Sequence, residues 1–384
     1  MRPHLPINDY SPCPCLSKCW GIEVAVEHAR ERSNSSVIAV VGGGSAGHVV
    51  PALPVIDQLL LRQWTVHFIG TRSGFEEKLL RGRDVAFHGI AAGKLRRYLD
   101  WRNLTDLVRI VWAVIESLLL LRRIKPKVVF SKGGFVSLPL VFAAWLLRVP
   151  VVAHESDLTP GLANRLASPF VQTFCISFHE TALPKFAGRI VHTGTPIRPE
   201  LLAGDGDKGR IALALGDKKI LLVTGGSLGA DRLNQVVREA LPVLLQEYVV
   251  IHICGEGKVS GETQSGYFEF EYVSQGWGDL LSAADVVLSR AGANALFELL
   301  TLAKLNLLVP LSAKASRGDQ IANADYAQSQ GYSQVLAESA LNPQSLCEAL
   351  SGLQDNRAHQ LARLAEFRRL PTIDLLVDEI EALT

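Results

Sequence analysis

The stretch Val37-Ile38-Ala39-Val40-Val41-Gly42-Gly43-Gly44-Ser45-Ala46-Gly47-His48 decides the fold class. Five apolar residues, four of them β-branched, run straight into glycines; they read as a buried strand, a glycine turn and the start of a helix. The pattern returns at Ile220-Leu221-Leu222-Val223-Thr224-Gly225-Gly226-Ser227-Leu228-Gly229, where Ser227 stands 182 residues after Ser45. Two such openings predict an α/β protein of two Rossmann-like domains with parallel sheets facing a shared cleft. Ligands in such folds sit beyond the carboxyl ends of the strands, where glycines let backbone N–H groups approach phosphate.

Strand-like runs at Val66–Ile69, Val85–His88, Val128–Ser131 and Val151–His154 extend the first half. Val249–Cys254, Phe268–Val273, Val286–Ser289 and Leu307–Pro310 extend the second. Helical stretches separate them, which is the alternation of βαβ units. Residues 1–36 have no sustained period and are expected to be a disordered extension. The first domain is then 37–200, a glycine- and aspartate-bearing linker 201–219, and the second domain 220–384. From about Asn342 the pattern is helical, with a break at Pro371.

The 384 residues are 48% hydrophobic and 20% charged, enough to bury large cores and too apolar for wholesale disorder. Lys and Arg number 39 against 38 Asp and Glu, so a globally basic nucleic-acid binder is excluded. Cys13, Cys15 and Cys19 crowd the N-terminal tail without a fourth ligand at zinc spacing, and Cys175, Cys254 and Cys347 are scattered. Asp205-Gly206-Asp207 resembles an acidic metal motif but lies among glycines and reads as a turn. No metal site and no cofactor is therefore expected. No apolar secretory core is visible in residues 1–36, and the longest uncharged apolar stretch, Gly133–Leu147, falls short of the roughly 20 residues of a spanning helix. A cytoplasmic protein is expected.

One region departs from the balanced charge. Residues 94–127 hold nine basic side chains and three acidic ones, around the apolar run Leu104–Leu121 with Trp101 and Trp112. Apolar surface flanked by Lys and Arg suits docking on an anionic membrane surface; an ordinary buried helix with solvated ends is the alternative.

The glycine loops admit several readings. Gly42-x-Gly44-x-x-Gly47 matches the dinucleotide fingerprint, but the second strand ends Phe68-Ile69-Gly70-Thr71-Arg72 without the ribose-binding acid; Arg72 leaves a phosphorylated nicotinamide cofactor open. Both loops also match G-x-S-x-G, yet two copies at two domain starts suit phosphate cradles better than two nucleophiles. His48, at the mouth of the first loop and near a helix N-terminus that favours its neutral form, is a candidate general base or a capping histidine. His154-Glu155-Ser156-Asp157 ends a strand where ligands bind, although Asp157 also suits a helix N-cap. Gly194-Thr195-Pro196-Ile197-Arg198 brings one cation towards the cleft. Ser289-Arg290-Ala291-Gly292-Ala293-Asn294 opens a helix that suits a diphosphate, and carries Glu298 for ribose hydroxyls. Asp319-Gln320 suits sugar hydroxyls.

Together these segments, with Ser131-Lys132-Gly133-Gly134-Phe135-Val136-Ser137 and Arg317-Gly318-Asp319-Gln320, resemble the MurG family, the family-28 glycosyltransferases of bacterial peptidoglycan synthesis. The match runs from about Val37 to the C-terminus. The resemblance implies a GT-B fold and a hexosyltransferase. The enzyme would move GlcNAc from UDP-GlcNAc to the muramyl 4-hydroxyl of lipid I, with inversion and without a metal, giving lipid II and UDP. It implies a peripheral protein on the cytoplasmic face of the bacterial cell membrane, working with other cell-wall synthesis proteins. Carried onto this chain, Ser227 meets the donor diphosphate with Arg198 close by, and Val273 flanks uracil. Ala293, Asn294, Ala295, Leu296, Phe297 and Glu298 hold the nucleotide, Glu298 on ribose, while Gln320 reads GlcNAc. Ser45, Ala46 and Gly47 face the acceptor diphosphate and donor sugar, and Asp157 lies where some members contact the donor through Asn.

His48 is then the catalytic base, with Glu155 the second candidate or a partner that orients the site. Helix N-termini and Arg198 would meet the charge developing on UDP. Two other functions share most of these features: a related UDP-sugar transferase acting on diacylglycerol or another lipid, and a membrane-associated scaffold that binds the nucleotide sugar without turnover.

Overall fold

The computed structural model describes residues 36–384 apart from 73, 92–101, 184–185, 214, 227–228, 262–263, 274 and 314–315, with the backbone alone over 102–108. The extension 1–35 and the basic residues Lys94, Arg96 and Arg97 lie outside the described residues.

Two parallel sheets form two domains. The first has seven strands, β1 (Val37–Val41), β2 (Thr65–Thr71), β3 (Val85–Ile90), β4 (Val128–Ser131), β5 (Val151–Glu155), β6 (Thr173–Ile176) and β7 (Arg189–His192), in the order β3-β2-β1-β4-β5-β6-β7. The second has six, β8 (Lys219–Thr224), β9 (Tyr248–Ile253), β10 (Tyr267–Phe270), β11 (Val286–Ser289), β12 (Asn306–Leu308) and β13 (Gln334–Val335), in the order β10-β9-β8-β11-β12-β13. Every strand pair is parallel, with Val41 opposite both Ile69 and Ser131 in the first sheet and Thr224 opposite Ile253 and Ser289 in the second. Apolar residues from β1 belong to two hydrophobic clusters, so Ile38 to Val41 are all buried and the run is continuously apolar rather than alternating.

Strand order places the crevices. Each sheet reverses direction of growth beside its first strand, between β1 and β4 and between β8 and β11. The loops after those four strands therefore splay apart and leave room for a ligand. They are the glycine loop at 42–47, Lys132-Gly133-Gly134, the loop Gly225–Ala230 and Arg290-Ala291-Gly292. The internal echo extends to conformation: Gly44 and Gly226 each have φ of +83° at corresponding positions, a region open to glycine at little cost.

Several elements differ from the sequence reading. The four residues of β6 and the two of β13 are too short to show a period against their surroundings. Residues 201–219 are not a free linker: helices Pro199–Leu202 and Gly206–Ala212 pack on Trp277–Ala283 of the second domain, with Leu201 buried in its core. Asp205 is no metal ligand here, since its side chain caps the second of these helices by accepting from the N–H groups of Asp207 and Lys208. The chain instead crosses between domains at Gly194–Arg198, where Gly194 has φ of +79°. Finally, the C-terminal helix Thr372–Glu381 returns to the first domain, burying Leu376, Val377 and Ile380 in the cluster that holds Ile38 and Leu59. Three such buried aliphatic side chains contribute roughly 1.5–3 kcal/mol each.

Helix Arg102–Ile124 carries the apolar part of the basic-apolar segment and has a buried and an exposed face. Ala113, Ser117 and Leu121 are buried on one face, while Val111, Trp112, Ile115 and Leu119 are 40–62% exposed on the other. It packs on Ser137–Leu146, which in turn packs on Leu162–Ala167. Those two helices add exposed Trp145, Leu146, Leu162 and Leu166, and the exposed charges Arg122, Arg123, Arg148 and Arg165 lie on or beside the same three helices. No helix among the described residues is long and apolar enough to cross a membrane.

Candidate active site

The first glycine loop is shaped from beneath by a residue that the sequence reading passed over. Glu76 is fully buried, accepts a hydrogen bond from Gly44 N at 3.2 Å and is held by the Thr71 hydroxyl at 2.9 Å. A Cβ at Gly43 would come within 2.6 Å of its carboxylate, so the glycine there is a matter of space. From the other side the β4 loop closes in, with φ of +88° at Gly134 and room for no side chain: a Cβ would lie 2.1 Å from the Gly43 carbonyl oxygen. Ser45 is exposed at the loop tip, ahead of helix Ala46–Val49.

His48 stands on that helix, facing the β4 loop. Its Nδ1 lies 3.2 Å from the Lys132 carbonyl oxygen. Because a carbonyl only accepts, the neutral ring carries its proton on Nδ1 and leaves Nε2 with a free lone pair. Desolvation and the nearby Lys132 ammonium lower its pKa to about 4, so the ring is neutral at pH 7.

Glu155, the last residue of β5, is 4% exposed and fully engaged. One oxygen accepts from Asp157 N at 3.0 Å; the other accepts from Gly161 N and Asn164 Nδ2, both at 2.9 Å. With both oxygens accepting from these donors, it shapes the 156–161 loop. Asn164 is buried, and its Oδ1 has no partner although it borders the same space as His48 beside Gly133.

Asp157 does not cap a helix; the next helix is Leu162–Ala167, capped at Gly161. It reaches across the cleft. Its Oδ2 accepts from Arg317 at 3.0 Å and its Oδ1 from Asn323 Nδ2 at 3.1 Å, while Leu158 N donates to Asn323 Oδ1 at 3.0 Å. Burial and the Glu155 carboxylate push its pKa up to about 6 despite Arg317. A second bridge joins the domains where Asn294 Nδ2 donates to the Gly47 carbonyl at 3.0 Å. The glycine loop, the 155–161 loop and the C-terminal domain thus meet around one cleft.

On the C-terminal side, helix Ala293–Thr301 begins at Gly292 and points its N-terminus towards Gly47. Asn294, Ala295 and Glu298 are partly exposed, whereas Ala293, Leu296 and Phe297 are buried in the core. The side chains of Leu296 and Phe297 therefore belong to the core, and what these two positions can offer a nucleotide is their backbone. Leu296 lies about half a turn from Asn294 and Glu298, and Phe297 packs edge-on to Phe178 at 4.9 Å. Arg198 lies 3.5 Å from Glu298, and its Nε is buried without a partner; burial raises the Glu298 pKa. Gln320, second in helix Asp319–Ser329, accepts from Leu311 N at 3.0 Å. Val273 is half-buried against the second-domain core, beside the exposed Tyr272. Arg290 is not a free cation, since it pairs with Glu338 at 2.5 Å. Ser227 lies outside the described residues, between Gly226 and Gly229.

Two other features stand apart. His252, Cys254 and Glu269 bring metal-ligating atoms together, but Arg238 lies 2.7 Å from Glu269, and burial raises the Cys254 thiol to about 12. That cluster is an ion pair with its hydrogen-bonded neighbours, beneath the second glycine loop. A cavity of about 220 Å³ opens at the interdomain crossing, lined by His179, His192, Phe297, Tyr326 and Arg368 and by none of the cleft residues above.

Comparison with known proteins agrees with this geometry. Residues 38–176 match the glycosyltransferase family 28 N-terminal domain and residues 220–374 the family 28 C-terminal domain. A Clostridium kluyveri protein is 48% identical over 319 residues, covering 82% of this chain and 90% of its own length. One from Clostridium tetani is 44% identical over 347 residues, covering 90% and 97%. Both are named UDP-N-acetylglucosamine–N-acetylmuramyl-(pentapeptide) pyrophosphoryl-undecaprenol N-acetylglucosamine transferase. The crystal structure of Acinetobacter baumannii MurG superimposes with a TM-score of 0.72 at 25% identity, covering 91% of this chain and 99% of that one. UDP-GlcNAc 2-epimerase from Neisseria meningitidis, solved with UDP-GlcNAc bound, shares the fold at a TM-score of 0.65 and 14% identity, covering 91% of this chain and 99% of that one.

Proposed function

The chain belongs to glycosyltransferase family 28, and from that membership and the geometry of the cleft we propose how it performs its reaction. It is a UDP-GlcNAc N-acetylglucosaminyltransferase of lipid II synthesis, acting on a UDP-sugar donor and a lipid-linked acceptor. The muramyl 4-hydroxyl of lipid I attacks the anomeric carbon from the face opposite UDP. The new C–O bond forms as the bond to the β-phosphate oxygen breaks, UDP leaves with that electron pair, and the configuration inverts. His48 Nε2 takes the hydroxyl proton. The observation that carries this assignment is the His48 Nδ1–Lys132 carbonyl contact, which leaves Nε2 bare. The acceptor's negative diphosphate, arriving at the glycine loop, raises the low His48 pKa towards the working range of a base.

Charge on the departing UDP is met by the N-terminus of helix Ala293–Thr301, by Arg198 and by the glycine loop around Ser227, without a metal. Glu298 takes the ribose hydroxyls, releasing Arg198 from their mutual contact. Val273 flanks the uracil, and the Gln320 amide reads the GlcNAc hydroxyls. Ser45, Ala46 and Gly47 line the acceptor diphosphate. Asp157 closes the cleft through Arg317 and Asn323 and so limits hydrolysis of the donor. The apolar face of helix Arg102–Ile124 and its basic flanks dock the enzyme on an anionic membrane surface, at the cytoplasmic face where its acceptor lies.

UDP release from UDP-GlcNAc, measured in EDTA with and without a lipid I analogue, tests this reading. Release that requires the acceptor and survives EDTA is expected. Release driven equally well by diacylglycerol would transfer the assignment to another lipid acceptor, and donor binding without release would make the protein a scaffold.

A further inference from the structure

Lys132 follows β4 directly and turns into the first domain with 1% of its surface exposed. Few lysines are buried so completely, because an ammonium group taken out of water must find partners. Its Nζ lies 2.8 Å from His154 Nδ1 and 2.5 Å from Ser156 Oγ. His154 is itself fully buried, and its Nε2 lies 2.9 Å from the carbonyl oxygen of Gly194, at the interdomain crossing. That carbonyl can only accept, so His154 carries its proton on Nε2 and offers the Nδ1 lone pair to the ammonium. At the other end, the Lys132 carbonyl accepts a hydrogen bond from His48 Nδ1–H. One residue therefore joins the rings of His48 and His154, and through the latter the crossing strand.

The charges around it are consistent. Glu155 and Asp157 favour the ammonium form, while burial opposes it and lowers its pKa only to about 8. Lys132 is thus mostly protonated at pH 7. Around His48 the charged groups are Lys132 and Arg317, both cations and both opposing protonation of the ring. An uncharged group in place of the ammonium would leave Arg317 as the remaining repulsion.

We propose that Lys132 is a positioning residue for the transfer reaction: its carbonyl holds His48 in the tautomer with Nε2 bare, and its ammonium anchors that carbonyl's loop to the His154–Ser156 corner. This rests on His48 being the base.

The test uses the full-length chain with Lys132→Gln, which keeps a hydrogen-bond donor and loses the charge, and Lys132→Met, which loses both. The His48 ring is titrated by NMR, its resonance identified by its loss in His48→Gln, and kcat and KM for UDP-GlcNAc are measured alongside. In both variants the His48 midpoint is expected to rise by about 0.5 unit or more; because the loop that orients the ring has lost its anchor, kcat is expected to fall about tenfold, with KM changed by less than about twofold. If Lys132→Met fails to fold, Lys132→Gln carries the reading. An unmoved midpoint, with kcat falling only as far as the folded fraction falls, overturns the proposal and leaves Lys132 a packing residue. Normal turnover in His48→Gln would instead remove the base assignment, a result visible without either lysine variant.

Discussion

His48 draws its chemistry from its surroundings rather than from its own identity. The Lys132 carbonyl selects the tautomer, burial and two cations keep the ring neutral, and the Gly133-Gly134 turn leaves the space beside it open. A base in that position contributes through the proton it removes in the transition state, so its loss belongs in kcat rather than in donor binding. His48→Ala is expected to lower kcat by about 100-fold or more while the Kd for UDP stays within about twofold. Isothermal titration calorimetry for UDP and a coupled UDP-release assay check the two halves; unchanged turnover would remove His48 from the proton transfer.

Helix Arg102–Ile124 shows how one element is divided between two tasks. Its Ala113-Ser117-Leu121 stripe is fastened to the domain, while Trp112, Ile115 and Leu119 stand in solvent. Exposed apolar residues on three adjoining helices, with arginines among them, form a patch larger than solubility would favour unless something covers it. Each basic residue near an anionic bilayer contributes about 1 kcal/mol. The double substitution Arg122→Glu with Arg123→Glu is therefore expected to weaken sedimentation with anionic vesicles by about tenfold or more, with no effect on uncharged vesicles. Turnover of a water-soluble acceptor analogue should not change. Equal sedimentation of variant and parent would show that these arginines do not face the membrane.

At the scale of the whole molecule, the protonation of buried groups ties stability to pH. His48 and His252 have pKa values of about 4, and that of His154 is lowered well below the usual histidine value, all chiefly by burial. Unfolded histidine titrates near 6.5, so below that pH the unfolded chain binds protons that the folded one does not, and acid favours unfolding. Asp157 works the other way, since its pKa of about 6 lets the folded state take up a proton first. Three histidines outweigh one aspartate, His48 and His252 each losing roughly 1–2 kcal/mol by pH 5 and His154 acting in the same direction. The melting temperature at pH 5 is expected to lie several degrees below that at pH 7. Scanning calorimetry in buffers of equal ionic strength reads this directly, and an equal or higher value at pH 5 would contradict the burial of these rings.

The chain's local patterns carried the architecture: apolar runs into glycines, repeated once, specify two parallel sheets, and the residues after those strands specify where a ligand sits. Such information is legible because strand and turn preferences act over a few neighbouring residues. Tertiary structure alone decided what those loops meet. Asp157 finds Arg317 and Asn323 from some 160 residues away, and Glu76 slides beneath the Gly43-Gly44 turn. Leu296 and Phe297 turn into the core rather than the cleft, the helix Thr372–Glu381 returns to the first domain, and the presumed linker folds onto the second. None of these has a local signature, because each depends on which buried surfaces close against one another, and a carboxylate or lysine is recognised as part of a site only when packing removes its water and supplies a partner.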